Sequence, residues 1–354
     1  MKGSQPSQRV SRQRRYGGAA VALTIAIVSI AGVSPAAQAP SDWKVLKRIP
    51  VSGDGNWDYL VVDAKARRLY VSHGTEVDVL NADSGRPIGH IANTLGVHGI
   101  VLVPGMHRAF ISEGLSDHVA VVDTNTLRTL REVPTGKKPD AIIYDPASRR
   151  VFVNNGDGNS TTAIDAATGD VVGTLDLGGS PEYAAADGEG HVYVNLEEQN
   201  ETLDIDSRNL KIDHRWPVSP CKAPSSMAID RRARRLFIGC RSRVMAVLNI
   251  DTGKVITALP IGDHVDATVF DPKRLLIFCS NRDGTLNIFR QLSADQYRSV
   301  QTVKTALGAR TMALDAATHR LFLPTADLDT SEPLQPGQKP PVKPGTFRLI
   351  VVGD

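Results

Sequence analysis

Seven short apolar runs in the chain each carry a polar or charged residue five places before their last position: Asp58, His98, Asp140, Glu182, Ser225, Asp266 and Arg310. A position that served only a core would be apolar. If the runs lie around one opening, four carboxylates and an imidazole share it. Like charges so placed raise one another's pKa, and a divalent cation, bound water or a basic ligand relieves the repulsion. Carboxylate, amide and imidazole donors suit Ca, Mg, Mn or Zn. A second set stands three residues beyond the leading bulky residue of the following run: His73, Glu113, Asn155, Leu196, Cys240, Cys279 and Thr325. The spacing predicts His73 beside Asp58, Glu113 beside His98 and Asn155 beside Asp140. The expected ligand-binding set is Asp58, His73, His98, Glu113, Asp140, Asn155, Glu182, Asp266 and Arg310. The expected metal ligands within it are His98, Glu113, Asp140 and Glu182. A hydrated mouth laced with salt bridges, Arg310 to Asp58 among them, is the alternative.

The elements that position these residues repeat. WDYLVVD (57–63), VHGIVLV (97–103), PDAIIYD (139–145), PEYAAAD (181–187), SSMAID (225–230), VDATVFD (265–271) and RTMALD (310–315) end 40 to 44 residues apart. A turn and a second run follow each, as in RRLYVSHG and RRVFVNNG, and then a third, as in VAVVDTN and MAVLNID. Alternation of this kind marks half-buried strands. Asp-Ala-Ala-Thr-Gly and Asp-Thr-Gly-Lys between them are turn chemistry. Four short strands with a period near 42 residues predict an all-β fold, a seven-bladed β-propeller. The last unit has three strands. The segment Trp43–Val51 reads like the missing fourth, so the N-terminal strand is expected to complete the last blade and hide its edge.

Several of these pieces resemble the YVTN-repeat, YncE-like family of exported seven-bladed propellers. They are Arg68-Leu69-Tyr70-Val71-Ser72, Val151-Phe152-Val153-Asn154-Asn155, Val192-Tyr193-Val194-Asn195 and the turn Asn249-Ile250-Asp251-Thr252-Gly253. The resemblance spans about residues 43–354, although the family's literal tetrapeptide is absent. It implies a propeller used as a binding module or exported accessory, and in its YncE-like branch single-stranded DNA binding. Exported propeller lactonases hold a metal with similar residue types, which makes a metal-dependent lactonase-like hydrolase the competing reading.

Residues 1–39 have the order of an export signal: Lys2, Arg9, Arg12, Arg14 and Arg15 without an acid, an apolar stretch near 18–33, then Ala37-Gln38-Ala39. The propeller is expected over 40–354, in the periplasm or outside the cell, with no stable membrane insertion after cleavage. Without residues 1–39 the chain has 36 basic and 38 acidic residues, a net −2, and so no general pull toward nucleic acid. Arg241, Arg243, Lys222 and Arg310 leave a local basic patch, and Trp57, Tyr59 and Tyr183 flank the polar positions as stacking candidates. The expected disulfide is Cys221–Cys240. Cys279 is read either as a small buried apolar residue, as a rival partner for Cys240, or as part of a soft-metal site with His264. A Pro-rich insertion at about 326–346 cannot be a core strand. It is read as a disordered loop or as a cover and partner-docking loop over the mouth. No Gly-x-Ser-x-Gly, His-Glu-x-x-His or phosphate-binding glycine loop is present. The leading reading is a non-enzymatic binder of a small molecule, metal or protein partner.

Overall fold

The structure is a computed structural model that describes residues 42–53, 56–329 and 341–354, with the isolated residues 1, 3, 11 and 13. Apart from those four positions, the expected export segment 1–39 lies outside the described residues, as does the centre of the insertion. Residues 40–354 form one compact unit. Its described residues make seven four-stranded antiparallel sheets, each built from strands consecutive in the chain except the last. Among the described residues no helix is long and apolar enough to cross a membrane.

Blade one shows why the sequence folds this way. Its strands are Trp57–Asp63, Arg68–His73, Glu76–Asn81 and Pro87–Ile91, innermost first. The Asp that ends the inner strand caps the turn to the second: Asp63 Oδ1 accepts the N–H groups of Lys65 and Ala66 at 3.0 and 2.8 Å. Asp145, Asp230, Asp271 and Asp315 accept from the residue two places on in the same way. The recurrent Asp is therefore turn punctuation, a carboxylate taking up backbone donors that the ladder leaves over. Asn81, Asp123, Asp165 and Asp206 do the same after the third strands.

The apolar residues pack between blades. Tyr70, Val77, Val79 and Ile91 of blade one share a cluster with Val97, Ile100, Ala109 and Ile111 of blade two. Each sheet thus buries both faces only in the presence of its neighbours, and a fully buried aromatic such as Phe110 contributes about 2–3 kcal/mol by its removal from water.

The ring closes as the sequence predicts. Lys44–Pro50 pairs antiparallel with Arg348–Gly353, from Lys44 opposite Gly353 to Pro50 opposite Arg348, with a bulge between Val45 and Lys47. The sheet order runs from this N-terminal strand through Arg348–Gly353 and Arg320–Thr325 to the inner strand Ala313–Asp315. That inner strand has three residues, shorter than the predicted 310–315. The preceding residues bond sideways instead: Thr311 Oγ1 donates to the Asp58 carbonyl at 2.7 Å and Arg310 Nη2 to the Trp57 carbonyl at 3.0 Å. Ile49, Val51, Trp57 and Leu69 join Phe322, Phe347, Leu349 and Val351 in one cluster across the seam.

Cys221 and Cys240 form the expected disulfide, with Cα atoms 5.5 Å apart. Cys279 does not occupy the Cys240 position of the next blade. Pro224 opposes Cys240 in blade five, and the matching residue Val265 opposes Asn281 in blade six. The repeat in blade six starts two residues later than the pattern RLLIFCSN suggests, with Phe278 as its aromatic. Cys279 is a buried free thiol, 3.7 Å from Thr268 Oγ1. His264 pairs with Asp263 at 3.1 Å and is exposed.

A candidate ligand and metal site at the channel mouth

The inner strands bring the first predicted ring together. His98 Nδ1 lies 2.6 Å from Asp58 Oδ2 and 3.8 Å from Asp140 Oδ1. Ligating atoms of Asp58, His98 and Asp140 all fall within 4.8 Å of one another. Arg310 Nε is 2.6 Å from Asp266 Oδ2, and its Nη2 is 3.6 Å from Asp58 Oδ1, so the Arg310–Asp58 contact across the closure is present. Its guanidinium also lies 5.9 Å from the centre of the Trp57 ring. Ser225, also in the series, is buried and gives its hydroxyl to the Val265 carbonyl at 2.7 Å.

The charges converge. Burial raises the Tyr59 hydroxyl well above its ordinary pKa, and the charges of Asp140, Asp58, Asp266 and Glu182 add to it. The Tyr59 and Tyr183 rings lie 5.4 Å apart, and both residues line a second cavity of about 390 Å³ with Ile100, Ile142 and Ile143. Their faces are spent on each other, as Trp57 is on Phe347 at 5.8 Å. Burial pushes Asp140 up to about 6; His98 pulls against this and Asp58 adds to it. Burial draws His98 down, but the hydrogen bond to Asp58 and the charges of Asp140 and Asp58 win, and the imidazole titrates above its ordinary value. Asp140 Oδ1 is buried without a hydrogen-bond partner.

The second predicted set divides: His73 borders the mouth cavity described below, whereas Glu113 and Asn155 are buried and do not line it. His73 opposes Trp57, Glu113 opposes Val97 and Asn155 opposes Pro139. Residues that oppose one another in a ladder share a face, and the next residue along faces the other way. The register shifts just beyond these pairs, between Trp57 and Leu60, Val97 and Ile100, and Pro139 and Ile142, so the second strands do not continue the channel series rung for rung. His73 is buried, 3.0 Å from Asp78 Oδ2 and stacked on Phe347 with centroids 4.1 Å apart. Glu113 is buried, accepts from Ser116 Oγ at 2.8 Å, and is pushed up to about 7 by burial. Asn155 is buried and donates to Ser160 and Thr162. His73 does join Glu76 and Asp78 in a second cluster of metal-ligating atoms. Of the expected donors, His98 and Asp140 lie together with Asp58, while Glu113 faces Ser116 and Glu182 faces Arg241.

Of the residues that follow the second strands, Gly74 and Arg282 border the mouth cavity, Glu197 and Arg241 pair beside Glu182, and Ala326 is buried in the seam cluster. Arg241 bonds Glu197 at 2.6 Å and Glu182 at 3.4 Å. Burial and a hydrogen bond to Glu197 push Glu182 up to about 10, and the Arg241 guanidinium pulls against them. Arg282 lines the mouth. Gly114 leaves room for His98: a Cβ there would stand 2.8 Å from the imidazole Cδ2 and Nε2. Gly74 and Arg241 stand one place beyond the positions chosen from the sequence, and Arg282 stands three places beyond Cys279.

The mouth holds a cavity of about 750 Å³ bordered by Asp58, His98, Arg282 and Arg310. Leu115 and Leu307, both more than half exposed, form part of its wall, with Leu328 and Val342 from the base of the insertion. Leu328 and Val342 bridge one another, and Asp327 and Arg348 pair at 2.6 Å. The two ends of the insertion therefore sit on the mouth, while 330–340 lie outside the described residues.

Fold and site define a seven-bladed β-propeller with His and carboxylate clusters geometrically compatible with a divalent metal. No protein-family profile matches the chain. The chain is distantly related to YncE-like proteins: it is 27% identical over 155 residues to the uncharacterized protein YncE of Salmonella typhi and 26% identical to that of Salmonella typhimurium. Each match spans 40% of this chain and 42% of the relative. Among solved structures it resembles a chain of Kuenenia stuttgartiensis hydrazine synthase (TM-score 0.66, 15% identity, 77% of this chain and 94% of that one). It also resembles a chain of the mitotic checkpoint complex (0.70, 13%, 86% and 95%) and U3-55K (0.72, 9%, 87% and 98%). At these identities the likeness concerns the fold.

Proposed function

We propose that this is an exported, non-enzymatic binding propeller, working in the periplasm or outside the cell, that seats a small ligand in the mouth cavity beside a divalent cation. Asp58, His98 and Asp140 hold the cation. The observation that carries this reading is the convergence of two carboxylates and an imidazole, with Asp140 Oδ1 buried and lacking a hydrogen-bond partner. Mixed oxygen and nitrogen donors favour Mn or Zn over Ca or Mg. Residues 1–39 supply the export signal in this reading.

Single-stranded DNA binding is less well supported. Arg241 and Arg310 are neutralised by Glu197 and Asp266, and Tyr59 and Trp57 already pack, tilted, against Tyr183 and Phe347.

The test is metal analysis of the purified protein, with titration of Mn and Zn into wild type and Asp140→Asn. One equivalent bound, with an affinity at least about tenfold weaker in the variant, supports the site. Equal binding by both proteins, or by neither, removes the metal from the reading. A bound metal also warrants a screen of lactone substrates, whose turnover would overturn the non-enzymatic part.

A further inference from the structure

The three arginines of the mouth differ in one respect. Arg310 is held by Asp266 and Arg241 by Glu197, each at 2.6 Å. The guanidinium of Arg282, among the described residues, makes no hydrogen bond or ion pair. The acids around it are engaged. Asp58 is held by His98. Asp283, its neighbour in the chain, accepts from the Asp263 N–H at 2.8 Å and from Thr285 Oγ1 at 2.6 Å. Arg282 is half-buried and borders the same cavity as the apolar wall. Burial and the charges of Arg310 and Arg241 disfavour its charged form, outweighing the opposite pull of Asp266 and Asp58. A half-buried guanidinium without a direct partner has lost hydration that nothing replaces, and a planar fork of N–H donors is the side chain best suited to a carboxylate or phosphate.

Resting on the reading of the mouth as a ligand site, we propose that the ligand is a small organic anion: its oxyanion group pairs with Arg282 and its apolar body lies on Leu115, Leu307, Leu328 and Val342. The cavity then has a division of labour. Arg282 selects charge, and the leucines and valine select an apolar body. A carboxylate and a phosphate monoester both meet this description.

The experiment compares four probes with one apolar tail: octanoate, octyl phosphate, octylammonium and 1-octanol. Binding to the wild type, Arg282→Gln and Arg282→Lys is measured by calorimetry, and the Arg282 Nε–H signal is followed by NMR. Octanoate or octyl phosphate should bind and shift that signal, whichever is tighter naming the anion class. Octylammonium should not bind. Arg282→Gln should weaken the anions by about tenfold or more, and Arg282→Lys, which keeps the charge without the fork, by less. If 1-octanol binds as tightly as the anions, or Arg282→Gln binds them unchanged, the role of Arg282 is overturned while the cavity remains a ligand site. If no probe binds, both readings fall. Selectivity of the wild type for anion over ammonium is decisive even should a variant fold poorly.

Discussion

Arg67 and Asp315, 248 residues apart, meet through two parallel hydrogen bonds of 2.9 and 2.7 Å. Arg67 lies in the first turn of blade one and Asp315 ends the inner strand of blade seven, where its side chain is fully buried. Arg67 also holds Asp83 at 2.6 Å. The strand pairing of Lys44–Pro50 is therefore not the sole tie across the closure; a bidentate ion pair joins the blades as well.

That pair makes the closure sensitive to acid. Burial works against ionisation of Asp315, but the hydrogen bonds from Arg67, Thr318 and the Ala317 N–H outweigh it and hold the carboxyl down at about 2. Its folded pKa is depressed, so its stabilisation is complete above the unfolded value of 3.8 and is lost as pH falls from there through about 2. Asp315→Asn should lower stability near neutral pH by on the order of 2 kcal/mol and flatten the acid limb of a urea-denaturation series. An unchanged acid limb would place the stabilisation elsewhere.

Glu182 gives the opposite dependence. Its folded pKa is raised, by burial and by Glu197, to about 10 against an ordinary 4.5. Between those values the folded chain takes up a proton that the unfolded chain lacks, so stability falls as pH rises, by about 1 kcal/mol per unit. Glu182→Gln should remove this slope and raise stability at pH 8. Denaturation of both proteins from pH 6 to 9 reads it directly, and parallel slopes would show that Glu182 is ionised in the fold.

Gly114→Ala tests the seat of His98 without touching a charge. The added methyl would stand 2.8 Å from the imidazole, so the ring must move. Mn or Zn affinity should drop by about tenfold while circular dichroism stays unchanged. Unaltered affinity would mean that the metal does not use His98.

Reduction of Cys221–Cys240, or Cys221→Ser, should cost about 3 kcal/mol from the closed loop alone, 19 residues in sequence separation. Burial pushes the Cys279 thiol up to about 12. It should therefore ignore a thiol reagent in the native protein and react with one equivalent after unfolding. A native reaction would show that Cys279 is reached by solvent.

The fold was legible because a period near 42 residues, seven strand-ending positions and one missing fourth strand leave few arrangements open. Half of the site was legible too, since a polar residue repeated at one place in an inner strand has few reasons to recur. The other half was hidden by the two-residue period of strands. Glu113 and Asn155 stand one residue before Gly114 and Gly156, and a one-residue shift along a strand turns the side chain to the other face. Arg241 was legible only as part of a basic patch, and Arg282 was missed because Cys279, three residues before it, was taken as the repeat position. Cys279 was misplaced because Leu276, taken as the repeat's bulky residue, precedes the true equivalent, Phe278, by two. Ion pairs such as Arg67–Asp315 join turns of different blades and carry no local sequence mark.

Lys44 lies opposite Gly353 and Pro50 opposite Arg348, so the first residue of the closing strand and the last of its partner are neighbours. Tension applied to both ends of the domain would load this ladder one rung at a time, as a zipper is drawn, rather than all rungs together in shear. Blade seven is the mechanically soft blade. A pull on the ends would detach its N-terminal strand before disturbing the mouth, so the ring can be unlatched by force while the ligand site stays assembled.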